Sequence, residues 1–324
     1  MEEKGEKDTW AIGRAAEQVL IGLAGWGDHD SLYADTGVTG RDKLRAYSGH
    51  FPVVEVDSSF YAIQSPETFA RWAEETPPGF RFVVKAYQGL TGHQRGPEMV
   101  RRALAALKPV DPHRRGVRPS PAAAPPSRSE LFRAFRDSIA PLAHAGKLLA
   151  VLFQYPPWFD CTRENVESLR YARAAMEGLP VALEFRHRSW FAPQLRERTL
   201  SFMRKEGWAH SICDEPQAGE GSVPTVLEVT HPDLTVVRFH GRNVAGWNST
   251  GQTDWRDVRY LYHYSETELA EWADRLVQLQ RQTARIAVIF NNNSGGHAAG
   301  NAKELMQLMD IDYEGLGPRQ LDLF

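Results

Sequence analysis

The sequence is poor in cysteine: Cys161 and Cys213 are its two thiols in 324 residues. Two such residues make no disulfide framework, and neither stands at metal-ligand spacing. They read as buried thiols in a reducing cytosol, so the expected location is cytoplasmic. Excess charge of one sign is also missing, since 38 basic side chains face 41 acidic ones for a net charge of −3 at pH 7. No global field attracts nucleic acid or an anionic membrane, and any anion must be held by a local cluster. No apolar run approaches membrane-spanning length. The stretch Met1 to Asp8 is charged rather than apolar, which speaks against a secretory signal and a membrane partner. Several signatures are lacking too. There is no G-x-S-x-G elbow, Gly22, Gly25 and Gly27 have the wrong spacing for a dinucleotide fingerprint, and no H-E-x-x-H occurs. Internal repeats at solenoid periods are absent.

What is present is a recurrence. Short apolar runs end again and again in a charged or amide side chain. Val53-Val54 leads to Glu55, Phe82-Val83-Val84 to Lys85, and Leu149 through Phe153 to Gln154. Val181-Ala182-Leu183 leads to Glu184 and then Arg186, Val236-Val237 to Arg238 and His240, and Ile286 through Phe290 to Asn291-Asn292. A strand buried on both faces reads as an apolar run. A polar group at its C-terminal end is where α/β barrels place their chemistry.

These runs alternate with helical patterns. Strands are expected at 19–24, 53–56, 82–86, 148–153, 180–185, 209–213, 234–239 and 285–290. Helices are expected near 41–48, from Pro66 behind an N-cap at Ser65, behind a cap at Ser129, at 163–176 and at 193–205. Two more are expected, behind a capping box at Ser265 and Glu268 and from about Asn301. The segment after the sixth strand reads as loop. Eight strands with helices between them predict one TIM-type (β/α)8 barrel, irregular after strand 6, spanning 19–324, with an open doubly wound sheet as runner-up. Residues 1–18 read as a flexible tail. The Pro- and Arg-rich stretch 109–128 reads as a disordered insertion or mobile flap.

Specific motifs resemble a known family. They are Gly22-Leu23-Ala24-Gly25-Trp26, Glu55-Val56-Asp57-Ser58-Ser59-Phe60-Tyr61, Phe80 to Lys85 with Trp72 and Thr76-Pro77, Gln154-Tyr155-Pro156-Pro157, Glu184 to Trp190, Phe290-Asn291-Asn292 and the tail Gln320 to Phe324. From about residue 20 onward the chain is similar to the YecE-like group, domain of unknown function 72. The resemblance implies a TIM-type barrel in a soluble bacterial-type protein and implies no activity. Asp57 stands where that pattern usually has Asn, and 109–128 looks like an addition.

Function is therefore read from the strand ends. Glu184, with Glu55 or Asp214 as partner and His240 nearby, is the candidate acid–base set, because such catalysis needs two groups whose environments split their pKa values. Lys85, Arg186, Arg238 and Arg242 are the candidate anion clamp, since a guanidinium fork matches phosphate or carboxylate oxygens. Alternation puts Arg186 on the side of Glu184, and Arg238, His240 and Arg242 on one side while the strand lasts. Gln154, Asn291 and Asn292 would add polar contacts, and Trp26, Tyr61 and Trp190, with Trp247, Tyr262 and Tyr264, a stacking surface. Asn291 to His297 could hold phosphate on the Gly295-Gly296 backbone, though no Lys follows as in a P-loop; the plain alternative is a turn with Asn301 capping the helix. His93, His187, His240, His263 and His297 raise a divalent metal as a less favoured cofactor, because the sequence offers no local ligand spacing. The expected function is acid–base hydrolysis or isomerisation of a small or oligomeric anionic, phosphate-bearing substrate. The rivals are a glycosidase-like hydrolase and a non-catalytic barrel for nucleic acid or a phospholigand, gripped by Arg114, Arg115, Arg118 and Arg128. The oligomeric state is open.

Overall fold

In a computed structural model the eight strands close into a parallel barrel in the order β1-β2-β3-β4-β5-β6-β7-β8. The structure describes residues 18–34, 37–93, 127–219, 222–247 and 258–318. The tail and insertion expected from the sequence lie outside these, apart from Gln18, Ser127 and Arg128, and so does the motif at 320–324. The strands are β1 (Val19–Ala24), β2 (Val53–Val56), β3 (Arg81–Lys85), β4 (Leu148–Gln154), β5 (Val181–Glu184), β6 (Ala209–Asp214), β7 (Thr235–Phe239) and β8 (Ile286–Phe290). Each lies within a residue or so of its expected span.

The longer helices are α1 (Pro66–Glu75), α2 (Arg128–His144), α3 (Arg163–Ala175), α4 (Arg196–Glu206), α5 (Glu266–Gln280) and α6 (His297–Leu308). Ser65 caps α1 by accepting the Thr68 amide, and Ser265 with Glu268 forms the anticipated box on α5. Two starts differ from expectation. Helix α2 is capped by Ser127, not Ser129, because Glu130 rather than a later residue closes the reciprocal bond to the cap. Helix α6 begins at His297 behind Gly296 in the left-handed region, so Asn301 lies inside it. Asn301 instead accepts the Tyr264 amide at 3.0 Å and donates to the Tyr264 carbonyl at 2.9 Å. Among the described residues no α-helix joins β6 to β7. An irregular segment runs beside β6, tied by Thr225 Oγ1 to the Cys213 carbonyl and by Thr230 Oγ1 to the Trp208 carbonyl.

Alternation divides each strand between two cores. Residues facing the helices form the large outer core, with Val54, Phe82, Phe153, Leu183, Val237 and Phe290 from the strands. Residues facing the axis form a smaller inner core of Val53, Val83, Ala150, Leu152, Ala182, Val236, Ala287 and Ile289. Two residues further along each strand, the inward column ends in Glu55, Lys85, Gln154, Glu184, Arg238 and Asn291. The barrel is thus apolar below and polar above.

Gly22 of β1 lies directly against Val53 of β2. A Cβ there would lie 1.9 Å from the Val53 carbonyl oxygen. Tyr47 reinforces the same seam, its hydroxyl accepting the Leu23 amide and donating to the Val53 carbonyl at 2.8 Å each. The substitution Gly22→Ala forces the strands apart and is expected to cost about 3 kcal/mol, at the upper end for overpacking. Urea unfolding of this variant beside the parent measures it, and an unchanged midpoint contradicts the contact.

Candidate functional site

The polar ends meet around one guanidinium. Arg238 is wholly buried and grips Glu55 along one edge, Nε to Oε2 at 2.8 Å and Nη2 to Oε1 at 2.6 Å. Along another edge its Nη1 donates to both oxygens of Glu184, at 2.9 and 2.8 Å. Gln154 Oε1 lies 3.4 Å from the same nitrogen. Arg186 closes on Glu184 from the other side, Nη2 to Oε1 at 2.7 Å, and its Nη1 binds Glu215. Ser211 donates to Glu184 Oε2 at 3.0 Å. Lys85, 3.3 Å from Asp57, stands at the edge of this cluster with a side chain 14% exposed.

Burial and pairing split the carboxylates. Burial pushes Glu184 up, but Arg186 and Arg238 outweigh it and bring the carboxyl down to about 2. At Glu55 burial prevails over Arg238 and lifts the carboxyl to about 7. Glu215 is likewise lifted to about 7 by burial, against the pull of Arg186 and the Val223 amide that it accepts at 2.7 Å. One carboxylate stays ionised while two neighbours hold protons near neutrality, which is the separation that acid–base chemistry uses.

His240 completes the cluster. Its Nε2 lies 2.8 Å from Arg186 Nη2 and 3.4 Å from Arg238 Nη1. Guanidinium nitrogens only donate, so Nε2 accepts and Nδ1 carries the proton. The side-chain amide of Asn291 is 3.0 Å from Nδ1 and must present its oxygen there. Burial and then the surrounding cations push this imidazole well below its ordinary range, so it is neutral and not a proton donor to substrate.

Ligand atoms of Glu184, Cys213 and His240 lie within 4.8 Å of one another, a donor set suited by type to a borderline-soft metal. The geometry does not favour one. Arg186 Nη2 sits 2.7 Å from Glu184 Oε1 and 2.8 Å from His240 Nε2, so the protein's own cation holds the bridging position. His263 and His297 pair with each other, ring centroids 5.2 Å apart.

Glu55, Glu184, Arg186, Arg238, His240, Gln154, Asn291 and Lys85 are therefore brought together as expected, and other candidates are not. Asp214 faces the helix side of β6, held by Arg242 at 2.6 Å, Tyr264 at 3.0 Å and Trp272 of α5 at 2.5 Å. Alternation explains it: Ser211 and Cys213 point inward, so Asp214 points out. Arg242 leaves the inward column because the strand ends at Phe239 and Gly241 turns with φ +81°. It pairs with Asp214 and Glu268 instead. Trp190 is core, stacked on Phe185 at 4.1 Å and donating to the Phe159 carbonyl. Asn292 is buried between the Tyr262 carbonyl and Asn301. Trp26 packs edge-on against Trp72, whereas Tyr61 is exposed at the rim. Gly295 and Gly296 do take positive φ, at the uncapped start of α6. Glu215, Ser211 and Cys213 went unforeseen. The signal existed, since Ser211, Cys213 and Glu215 are spaced by two, but the apolar run points to Asp214.

Fold and site define a (β/α)8 barrel whose strands converge on a buried cluster of arginines and glutamates at the C-terminal mouth. Residues 20–322 match the family described as protein of unknown function DUF72, and the chain belongs to it. It is 53% identical over 307 residues to the UPF0759 protein YunF of Bacillus subtilis, covering 94% of this chain and 100% of that one. The UPF0759 protein YecE of Escherichia coli matches over 98 residues at 32% identity, 29% of this chain and 34% of that one. Among solved structures, a DUF72 family protein of Enterococcus faecalis superposes with a TM-score of 0.80 at 35% identity, covering 94% and 100% of the two chains. One from Thermotoga maritima gives 0.70 at 27%, covering 90% and 99%.

Two outcomes follow from the cluster. Arg238→Met strands Glu55 and Glu184 as buried, unpaired acids and is expected to cost about 3–5 kcal/mol in unfolding experiments. A loss under 1 kcal/mol contradicts the shared guanidinium. Glu215 keeps a proton in the folded state that the unfolded chain releases above its ordinary 4.5, so its share of stability falls as pH rises toward about 7. Glu215→Gln removes that share of the slope, measurable by urea unfolding at pH 5, 6 and 7. A variant whose slope matches the parent's shows that Glu215 titrates normally.

Proposed function

We propose that this barrel is an enzyme that performs acid–base chemistry, hydrolysis or isomerisation, on an anionic substrate at its mouth, a phosphate ester being the favoured class. The observation that carries this reading is Arg186. It is 5% exposed, its two terminal nitrogens are engaged by Glu184, His240 and Glu215, and its buried Nε has no partner among the described residues. A buried donor without an acceptor is costly, and a ligand oxygen would satisfy it. Lys85 at the rim supplies a second cation. With Glu55 and Glu215 able to hold protons near pH 7, the cluster can become net positive and balance an incoming anion.

In this reading the roles shift from those expected of the sequence. Glu184, ionised and saturated with donors, positions Arg186 and Arg238. Glu215 and Glu55 carry protons. His240, neutral, orients Arg186. A glycosidase-like action by Glu55 and Glu184 is less well supported, because the Arg238 guanidinium fills the space between them where a scissile bond would lie. A nucleic-acid grip through the insertion loses Arg128, which stacks over Tyr171 at 4.4 Å and donates to Ser168; Arg114, Arg115 and Arg118 lie outside the described residues. The two free cysteines, Cys161 and Cys213, fit a cytoplasmic setting, and no helix among the described residues is long and apolar enough to cross a membrane.

A melting screen with phosphate esters, carboxylates and neutral sugars tests the reading. An ester at a hundred times its Kd is expected to add about 2.7 kcal/mol of stability. Arg186→Lys, which lacks the fork and the Nε, should lose that gain at the same concentration. Stabilisation by neutral sugars but by no anion overturns the proposal.

A further inference from the structure

Above the charged cluster the rim is aromatic in two arcs. Over β2 to β4, Tyr61 and Phe60 meet edge to face at 5.2 Å, Phe60 meets His93 at 5.0 Å, and His93 meets Trp158 at 5.9 Å. Lys85 Nζ lies 4.9 Å from the centre of the Phe60 ring, so this strip begins directly over the rim cation. Tyr61 and Trp158 are 55% and 51% exposed, the most open aromatic rings among the described residues, and they stand at the C-terminal end of the barrel, where such folds bind ligands. Over β7, Trp247 lies against Arg186, 5.9 Å from guanidinium carbon to ring centre, with Tyr260 edge-on to it. His93, within the first arc, is lowered to about 4 by burial and then by Lys85 and Arg186, and is a neutral ring at physiological pH.

We propose that the mouth takes a nucleoside monophosphate, its phosphate meeting Arg186 and Lys85 and its base stacking on the aromatic strip that ends in Trp158. The inference rests on the anionic reading above and adds the ring. A phosphate alone would need only the cations. A planar base accounts for the open faces of Tyr61 and Trp158 on the strip that reaches Lys85 through Phe60, because each base has a π-face that stacks on such rings whatever its sequence identity. Trp158 and Tyr61 are then specificity-determining contacts rather than catalytic residues.

Titration of the full chain with AMP, ribose 5-phosphate, adenosine and inorganic phosphate decides the matter. AMP is expected to bind at least tenfold more tightly than ribose 5-phosphate and than adenosine. Trp158→Ala and Tyr61→Ala, both at half-exposed positions that leave the fold intact, should each reduce the preference for AMP over ribose 5-phosphate severalfold. Equal binding of AMP and ribose 5-phosphate overturns the role of the ring and leaves the anionic reading standing. Equal binding of AMP and adenosine overturns both, and so does failure of all four to bind at millimolar concentration.

Discussion

The mouth of this barrel depends on one guanidinium. Arg238 comes from β7, Glu55 from β2 and Glu184 from β5, and four charge-assisted bonds tie them across the axis. A buried ion pair offsets its desolvation only when geometry is good and the remaining donors are satisfied. Here the planar fork meets two carboxylates along two edges, with Gln154 beside it, and the inner apolar core lies beneath. Any movement of one strand end would leave a charge uncompensated, so the ring of strands and the cluster hold each other in register.

The second guanidinium makes the cluster chemically interesting. Arg186 shares Glu184 with Arg238, binds Glu215 and takes up the Nε2 lone pair of His240. This arrangement keeps Glu184 ionised and the imidazole neutral, while burial keeps Glu55 and Glu215 protonated toward neutral pH. It also takes the place that a metal bridging Glu184 and His240 would need. Charge compensation, proton storage and the unpartnered Nε of Arg186 all trace to how two arginines are divided among three glutamates.

Much of this was legible in the chain. Apolar runs predicted eight strands, the polar ends of six of them predicted C-terminal chemistry, and alternation put Arg186 beside Glu184. Serine caps located α1 and α5. Local rules hold only within their element. Arg242 would share the side of Arg238 only while the strand lasts, and β7 ends at Phe239 before Gly241 turns the chain. Asp214 closes an apolar run, but its neighbours Cys213 and Glu215 hold the inward phase. Trp190 and Asn292 looked like loop contacts but satisfy the core, one by stacking on Phe185 and the other by bonding Asn301.

From the residue order alone came the number of strands, their spacing, and which side chains share a side within a strand, because these follow from periods of two and 3.6 residues. Only the tertiary structure decided which side faces the axis, which of several cations reaches which carboxylate, and hence which acid keeps its proton. Glu55 and Arg238 are 183 positions apart, and no local pattern couples them. Closing the barrel does, and the low dielectric inside it then sets the charge of every group at the mouth.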